Sequence, residues 1–201
     1  MKLTSIILIG GQSKRMGHPK YTLKFGEKTV LERIVSRIAG RSDGLVVVAS
    51  PMQDLPPLQD VIVARDHVQD QGPLMGILTG LQATEGHAEW AFVTGCDMPF
   101  VNHALLDLLV ENCDPADDIV IPKRDGHFYP LCALYKTRLW RNADRLLAKG
   151  ERRLLALLDT CNIKAVPEKK LRSYDPDLLC LTNINTPESY EQALERAGLE
   201  G

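Results

Sequence analysis

Short apolar runs recur along this chain with helical patterns between them, and no other feature restricts the fold as much. Residues 3–9, 45–50 (LVVVAS), 61–64 (VIVA) and 90–95 (WAFVTG) read as strands. The unbroken β-branched runs at 45–50 and 61–64 are those expected of strands covered on both faces. Between them, TVLERIVSRIA places Val30, Ile34, Val35 and Ile38 at helical spacing behind Thr29 as cap. GPLMGILTGLQA, residues 72–83, carries proline in its first turn and reads as a helix, and Asn102 caps another through about Asn112. Strands are expected at 119–122 and about 129–135, helices at roughly 137–149 and 151–158, and a last helix behind NTPE, residues 185–188. Such alternation implies an α/β chain: a mainly parallel sheet with helices on both faces. No internal repeat or long linker divides it, and the proline-rich segment 51–60 reads as a surface connection, so residues 1–201 are expected to form one domain.

Charge and composition exclude several classes. A net charge of −2 and a pI near 6.2 provide no basic field for a nucleic-acid backbone. No apolar stretch approaches the ~20 residues that span a bilayer, and the start, MKLTSIILIGGQSKR, reads as a first buried strand rather than a signal peptide. The cysteines are odd in number and lack a CxxC pair, as expected of reduced thiols in a cytoplasmic protein. The histidines show no metal spacing, and no Ser or Cys sits in a nucleophile elbow.

In a sheet of this kind ligands bind beyond the carboxyl ends of the strands. Gly10 to Lys20 follows the first strand, Asp66 the third and Cys96 to Pro99 the fourth. Gly10 and Gly11 would let backbone N–H groups approach an anion, with Lys14, Arg15 and Lys20 beside them. Read alone, they make a tight turn with solvated cations equally well. Asp97 in GCDMP suits Mg²⁺ at the sheet edge, or else opens a turn. A phosphate cradle and a magnesium carboxylate on one edge together describe phosphoryl or nucleotidyl transfer. In NINTPESY, Thr186 as cap, Pro187 and Glu188 explain a helix start, and Asn183 and Asn185 read as turn residues. Glu151, Arg152 and Arg153 read as a solvated helix face.

The blocks LIGGQSKRMGHPK, GPLMGILTGL, CDMPF, YPLCALY, KGERRLL and NINTPE stand in the order found in the molybdenum cofactor guanylyltransferase family, which the chain resembles from Leu8 to about Tyr190. The resemblance implies a three-layer nucleotidyltransferase fold with a Rossmann-like core. It implies GMP transfer from Mg²⁺–GTP to the terminal phosphate of molybdenum-bearing molybdopterin, with release of pyrophosphate. Carried over, Leu8, Gly10 and Gly11 line the guanine and phosphate side, and Arg15 and Lys20 steady the triphosphate. Asp66 and Gly72 lie near the nucleoside, Asp97 holds Mg²⁺, and Asn185 sits beside metal and phosphates. At least one of Arg152 and Arg153 is implied to reach the acceptor phosphate. Molybdoenzymes or their chaperones are the protein partners such a product would have.

This chain departs from the family at three places. Pro19 stands where Asp is common, Tyr129 where His is frequent, and Ala49 and Ser50 where an Asn is often found. Pro-Lys is the pattern of wider sugar and alditol nucleotidyltransferases, so a different base or acceptor stays open, whereas CDMP with GPLMG favours the guanylyl over the cytidylyl branch. A nucleotide or cofactor carrier without catalysis is the reading from another class. Lys20, Asp97 and Asn185 argue against it, because a carrier need not keep metal chemistry.

Overall fold

The structure, a computed structural model, describes residues 1–10, 16–66 and 72–199. In chain order the strands are β1 (Leu3–Leu8), β2 (Lys24–Phe25), β3 (Lys28–Thr29), β4 (Gly44–Ala49), β5 (Ile62–Arg65), β6 (Trp90–Gly95), β7 (Ile119–Arg124), β8 (His127–Phe128), β9 (Cys132–Lys136) and β10 (Ile163–Pro167). The helices are α1 (Val30–Ile38), α2 (Pro73–Thr84), α3 (His103–Glu111), α4 (Trp140–Ala148), α5 (Leu154–Leu158), α6 (Glu168–Arg172) and α7 (Pro187–Arg196). The main sheet runs β10-β7-β9-β6-β1-β4-β5, with β8 added to β7, while β2 and β3 form a separate hairpin. β5, β4, β1 and β6 are mutually parallel, and β7 pairs parallel with β10; β9 runs antiparallel between β6 and β7.

Side-chain alternation sends β1 into two cores. Leu3 and Ile7 join the face covered by α1, α3 and α7, with Ile34, Leu105, Leu109 and Leu194; Ile6 and Leu8 join the face covered by α2, α4 and α5, with Ile77, Ala143 and Leu157. Every residue of β1 is buried, the small polar Thr4 and Ser5 included, and Ser5 Oγ shares a hydrogen bond with Ser42 Oγ at 2.6 Å. α1 starts where the sequence places it: the Thr29 hydroxyl accepts from the Glu32 amide at 3.2 Å, and the Glu32 carboxylate accepts from the Thr29 amide at 2.6 Å. This reciprocal cap satisfies two otherwise orphaned donors.

α2 lies unusually close to the sheet because glycines face it. A Cβ on Gly80 would stand 2.5 Å from Ile6 Cγ2 and 3.2 Å from both Ile6 Cδ1 and Val48 Cγ2. Ile6 and Val48 are buried in the sheet and have no room to yield. Gly80→Ala is therefore expected to destabilise the fold by about 1–2 kcal/mol, despite the better helix propensity of alanine. Thermal unfolding checks this; a melting temperature at or above that of the parent chain would contradict the close approach.

Several elements differ from the sequence reading. β5 is an edge strand rather than a doubly covered one, with Ile62 57% and Val63 42% exposed. β-Branched composition reports strand preference, but coverage depends on which neighbours the topology supplies. β9 begins at Cys132, because residues 129–131 form a turn whose Leu131 carbonyl accepts from the Gly95 amide at 3.2 Å. The expected helix at 137–149 opens as a tighter 3-10 turn over Thr137–Leu139. Helix α5 starts only at Leu154, since the Glu151 carboxylate accepts from the amides of Arg152 and Arg153, both at 2.8 Å, and holds them outside the helix. The β2–β3 hairpin, β10 and α6 were not expected. Among the described residues no helix is long and apolar enough to cross a membrane.

Candidate functional site

The carboxyl ends of β4, β5, β1 and β6 lie along one edge. Leu8 is level with Val48 on one side and Gly95 on the other. The ends are tied by Ile9 N–H to the Val48 carbonyl (3.0 Å), Cys96 N–H to the Leu8 carbonyl (3.0 Å) and Asp66 N–H to the Ala49 carbonyl (2.9 Å). β1 is followed in the chain by β4 and β5 on one side of it, and β6 by β7 and β9 on the other, so the order of the sheet reverses between β1 and β6. Such a switch point leaves a crevice.

Lys20, Asp97 and Asn185 meet in this crevice. The Lys20 ammonium stands 3.5 Å from Asp97 Oδ2 and donates to Asn185 Oδ1 at 2.5 Å, and the side chains of Lys20 and Asp97 are 16% and 19% exposed. Each is set by local structure. Lys20 opens a 3-10 turn (Lys20–Thr22) preset by Pro19 at φ −59°, whose carbonyl accepts from the Thr22 amide and hydroxyl. The buried Tyr21 anchors that turn by donating to the Asp54 carbonyl at 2.7 Å. The turn thus accounts for Pro19 without reference to the acceptor. Asp97 follows Gly95 closely enough that a Cβ at 95 would fall 2.5 Å from Asp97 Oδ1. Asn185 is held from both sides: the Ile184 amide donates to the Asp97 carbonyl at 2.8 Å, and the Asn185 and Thr186 amides donate to Ser189 Oγ at 2.9 Å. The cap at the start of α7 thereby fixes the residue preceding it.

A carboxylate and an amide oxygen directed at one positive group form a donor set suited to a hard cation. Among the described residues no group of three or more His, Cys, Asp or Glu side chains could hold a metal ion. A divalent ion here would complete its shell with phosphate oxygens and water, as Mg²⁺ commonly does. Burial, and then the charge of Asp97, pushes the neighbouring Cys96 thiol up to about 12. That thiol is protonated at neutral pH and is no nucleophile.

Gly10 and Asp66 lie on the β4–β5 side. A Cβ on Gly10 would lie 3.3 Å from Ser50 Oγ and 3.8 Å from Asp66 Oδ2, so the backbone runs directly over both. Thr79 of α2 donates to Asp66 Oδ1 at 2.8 Å. The Gln53 amide bridges the strand ends, donating to the Ile9 carbonyl at 3.1 Å and accepting from the Ser50 amide at 3.0 Å. Gly72 takes φ 76° at the start of α2, a conformation that favours glycine. The Leu8 side chain lies beneath α2 against Gly76, and its carbonyl is used in the sheet. Gly11, Lys14 and Arg15 lie outside the described residues.

Arg152 and Arg153 precede α5 rather than standing on it. Arg152 Nη1 donates to the Leu147 and Glu151 carbonyls at 3.0 and 3.1 Å, and Arg153 pairs with Glu151 at 2.6 Å. The Arg153 guanidinium, with the Arg153 and Arg152 amides, holds the half-buried Glu151 carboxyl down to about 2. Both guanidinium groups already have acceptors within the chain.

Sequence reasoning missed Thr79, Gln53 and Arg33, whose Nε donates at 3.0 Å to the Pro99 carbonyl, two residues after Asp97. The one visible hint was Arg33, Arg37 and Arg41 at helical spacing on and after α1, a stripe explained equally well by solvent.

The model of the MobA-like NTP transferase domain matches residues 5–164. A molybdenum cofactor guanylyltransferase of Desulfosudis oleivorans is 32% identical over 192 residues, covering 95% of this chain and 94% of the relative. A probable molybdenum cofactor guanylyltransferase of Mycobacterium avium is 37% identical over 191 residues, 92% of each. Among solved structures, molybdopterin-guanine dinucleotide biosynthesis protein A of Archaeoglobus fulgidus superposes with a TM-score of 0.81 at 26% identity, covering 97% of this chain and 98% of that one. The 2-C-methyl-D-erythritol 4-phosphate cytidylyltransferase of Thermus thermophilus shares the fold, with a TM-score of 0.71 at 15% identity over 96% of this chain and 98% of that one. With its fold, its matched domain and its relatives in agreement, this chain belongs to the family of MobA-like NTP transferase domains.

Proposed function

We propose that this chain transfers GMP from Mg²⁺–GTP to the terminal phosphate of molybdenum-bearing molybdopterin and releases pyrophosphate. The observation that carries the reading is the meeting of Lys20, Asp97 and Asn185 beyond the carboxyl ends of β1 and β6, in a chain whose relatives are guanylyltransferases. An anionic oxygen of the acceptor phosphate attacks the α-phosphorus of GTP. One P–O bond forms, the α–β bridging P–O bond breaks, and the electron pair leaves on pyrophosphate. The attacking oxygen needs no proton removed, which suits a site whose adjacent thiol is inert. Lys20, with Arg15 from the preceding loop, neutralises charge that grows on the leaving group. Asp97 and Asn185 would hold Mg²⁺, which supplies Lewis-acid charge to the phosphates. Gly10, Gly11, Asp66 and Gly72 would form the nucleoside side, with Thr79 orienting Asp66 and the buried Leu8 supporting the strand end from beneath α2. The product serves molybdoenzymes or their chaperones.

The test is incubation of the chain with Mg²⁺, molybdopterin and each of the four NTPs, following pyrophosphate. GTP is expected to exceed CTP by at least about a hundredfold in kcat/KM, because a site built on hydrogen bonds rejects a base that leaves its polar groups unpaired. Comparable turnover with CTP or UTP would contradict the guanylyl assignment. GTP binding without pyrophosphate release would favour a carrier.

A further inference from the structure

The three residues that meet in the crevice come from three distant segments, and each is followed shortly by an aromatic residue. Phe25 stands five residues after Lys20, Phe100 three after Asp97, and Tyr190 five after Asn185. These aromatics meet in turn. Phe25 packs edge-on against Phe100 at 5.7 Å between ring centroids, and against Tyr190 at 6.5 Å. Arg33 closes the cluster, its guanidinium 4.6 Å from the Phe25 ring centre and 5.9 Å from that of Phe100. Arg33 also donates to the Pro99 carbonyl at 3.0 Å, and the Tyr190 hydroxyl donates to the Lys24 carbonyl. Arg37 repeats the pattern one turn on, donating to the Val101 carbonyl at 3.0 Å.

From this we infer that Phe25, Phe100, Tyr190 and Arg33 form a clasp that positions Lys20, Asp97 and Asn185 for the nucleotide and its metal ion. The inference rests on the proposed function for the identity of the ligand, but the geometry stands apart from it. Each segment is short between aromatic and polar residue, so a displacement at the cluster is carried to the crevice with little slack. The hairpin β2–β3 supplies Phe25 from its first strand and leads directly into α1, which supplies Arg33. A two-stranded hairpin contributes little stability by itself, and this one serves to join the three segments. Burial, and then Arg37 alongside, pulls the Arg33 guanidinium below its usual value, a cost that the faces of two rings offset. Edge-to-face rings have a preferred geometry that aliphatic side chains of similar size lack. The clasp therefore specifies position as well as burial.

The test is a double-mutant cycle read by calorimetric Mg²⁺–GTP affinity on the full chain, with thermal unfolding beside it. Phe25→Leu keeps an apolar side chain but loses the ring edge; it should weaken Mg²⁺–GTP binding about tenfold in the parent chain and less than about twofold in a Lys20→Ala background. The fall in melting temperature should be the same in both backgrounds. Equal loss of affinity in the two backgrounds, or none in either, overturns the clasp. Should Phe25→Leu fail to fold, Tyr190→Leu, on the half-buried outer side of the cluster, is measured against Asn185→Ala with the same expectation and the same overturning result. A parent chain that binds Mg²⁺–GTP but releases no pyrophosphate with molybdopterin defeats the guanylyl reading while the cycle still decides the clasp. One that binds no Mg²⁺–GTP overturns both.

Discussion

Asp97→Ala is expected to leave the fold intact and to reduce pyrophosphate release about a thousandfold at saturating GTP and Mg²⁺, a loss of about 4 kcal/mol in the transition state. The fold survives because the structural duty of Asp97 is performed by its backbone. Its carbonyl accepts from the Ile184 amide at 2.8 Å, a bond that alanine retains. The side chain, by contrast, faces the crevice, where it pairs with Lys20 at 3.5 Å. Partly exposed pairs of this kind contribute about 0–1 kcal/mol to stability. A kcat within about tenfold of the parent chain would remove Asp97 from the metal site. Unfolding of the variant would show instead that the side chain is structural.

Lys20→Ala is expected to lower kcat/KM for GTP by about a hundredfold or more, in the range found when one preorganised donor to developing charge is lost. The ammonium holds Asp97 Oδ2 and Asn185 Oδ1 together across the mouth of the crevice. Its removal loses the cation that would meet the triphosphate and leaves two oxygens facing each other. Lys20→Arg should not restore activity, because a planar fork cannot take the place of a compact point charge between two oxygens set this close. Steady-state kinetics over a range of GTP concentrations checks both variants. Parent-like kcat/KM in Lys20→Ala would mean that the turn carrying Lys20 is only a connection.

The parts of the fold legible in the sequence are those determined within a few residues. Thr29 with Glu32, Asn102 and Thr186 each mark a helix start because the capping side chain and the amide it satisfies are close in the chain. Residues 3–9, 45–50 and 90–95 mark strands because burial on both faces demands mostly apolar residues, with small polar ones such as Ser5 and Thr94 the exceptions. The exposed edge of β5 was not legible, since VIVA has the same composition whether or not another strand or helix covers it. β10, with Lys164 among its five residues, gave too little pattern to be seen.

The site divides along the same line. Gly10 and Asp97 stand out because each follows the end of a strand, where the fold directs ligands. Asn185 does not, since a turn before a capped helix explains an asparagine there; only the resemblance singled it out, and its contact with Lys20 bridges a separation of 165 residues. Thr79 and Arg33 act across the sheet edge from helices, so their partners Asp66 and Pro99 depend on which helix lies over which strand. Pro19 was a departure that suggested another acceptor, and the turn it presets supplies a local reason for it.

The most direct test of the account is a crystal structure of the chain with Mg²⁺ and a GTP analogue whose α–β bridge resists cleavage. The account predicts the metal on the Asp97 carboxylate beside Asn185, the Lys20 ammonium moved onto the triphosphate, and the guanosine on the β4–β5 side near Asp66 and Gly72. A triphosphate bound away from the carboxyl ends of β1 and β6, with Lys20 still bridging Asp97 and Asn185, would contradict it.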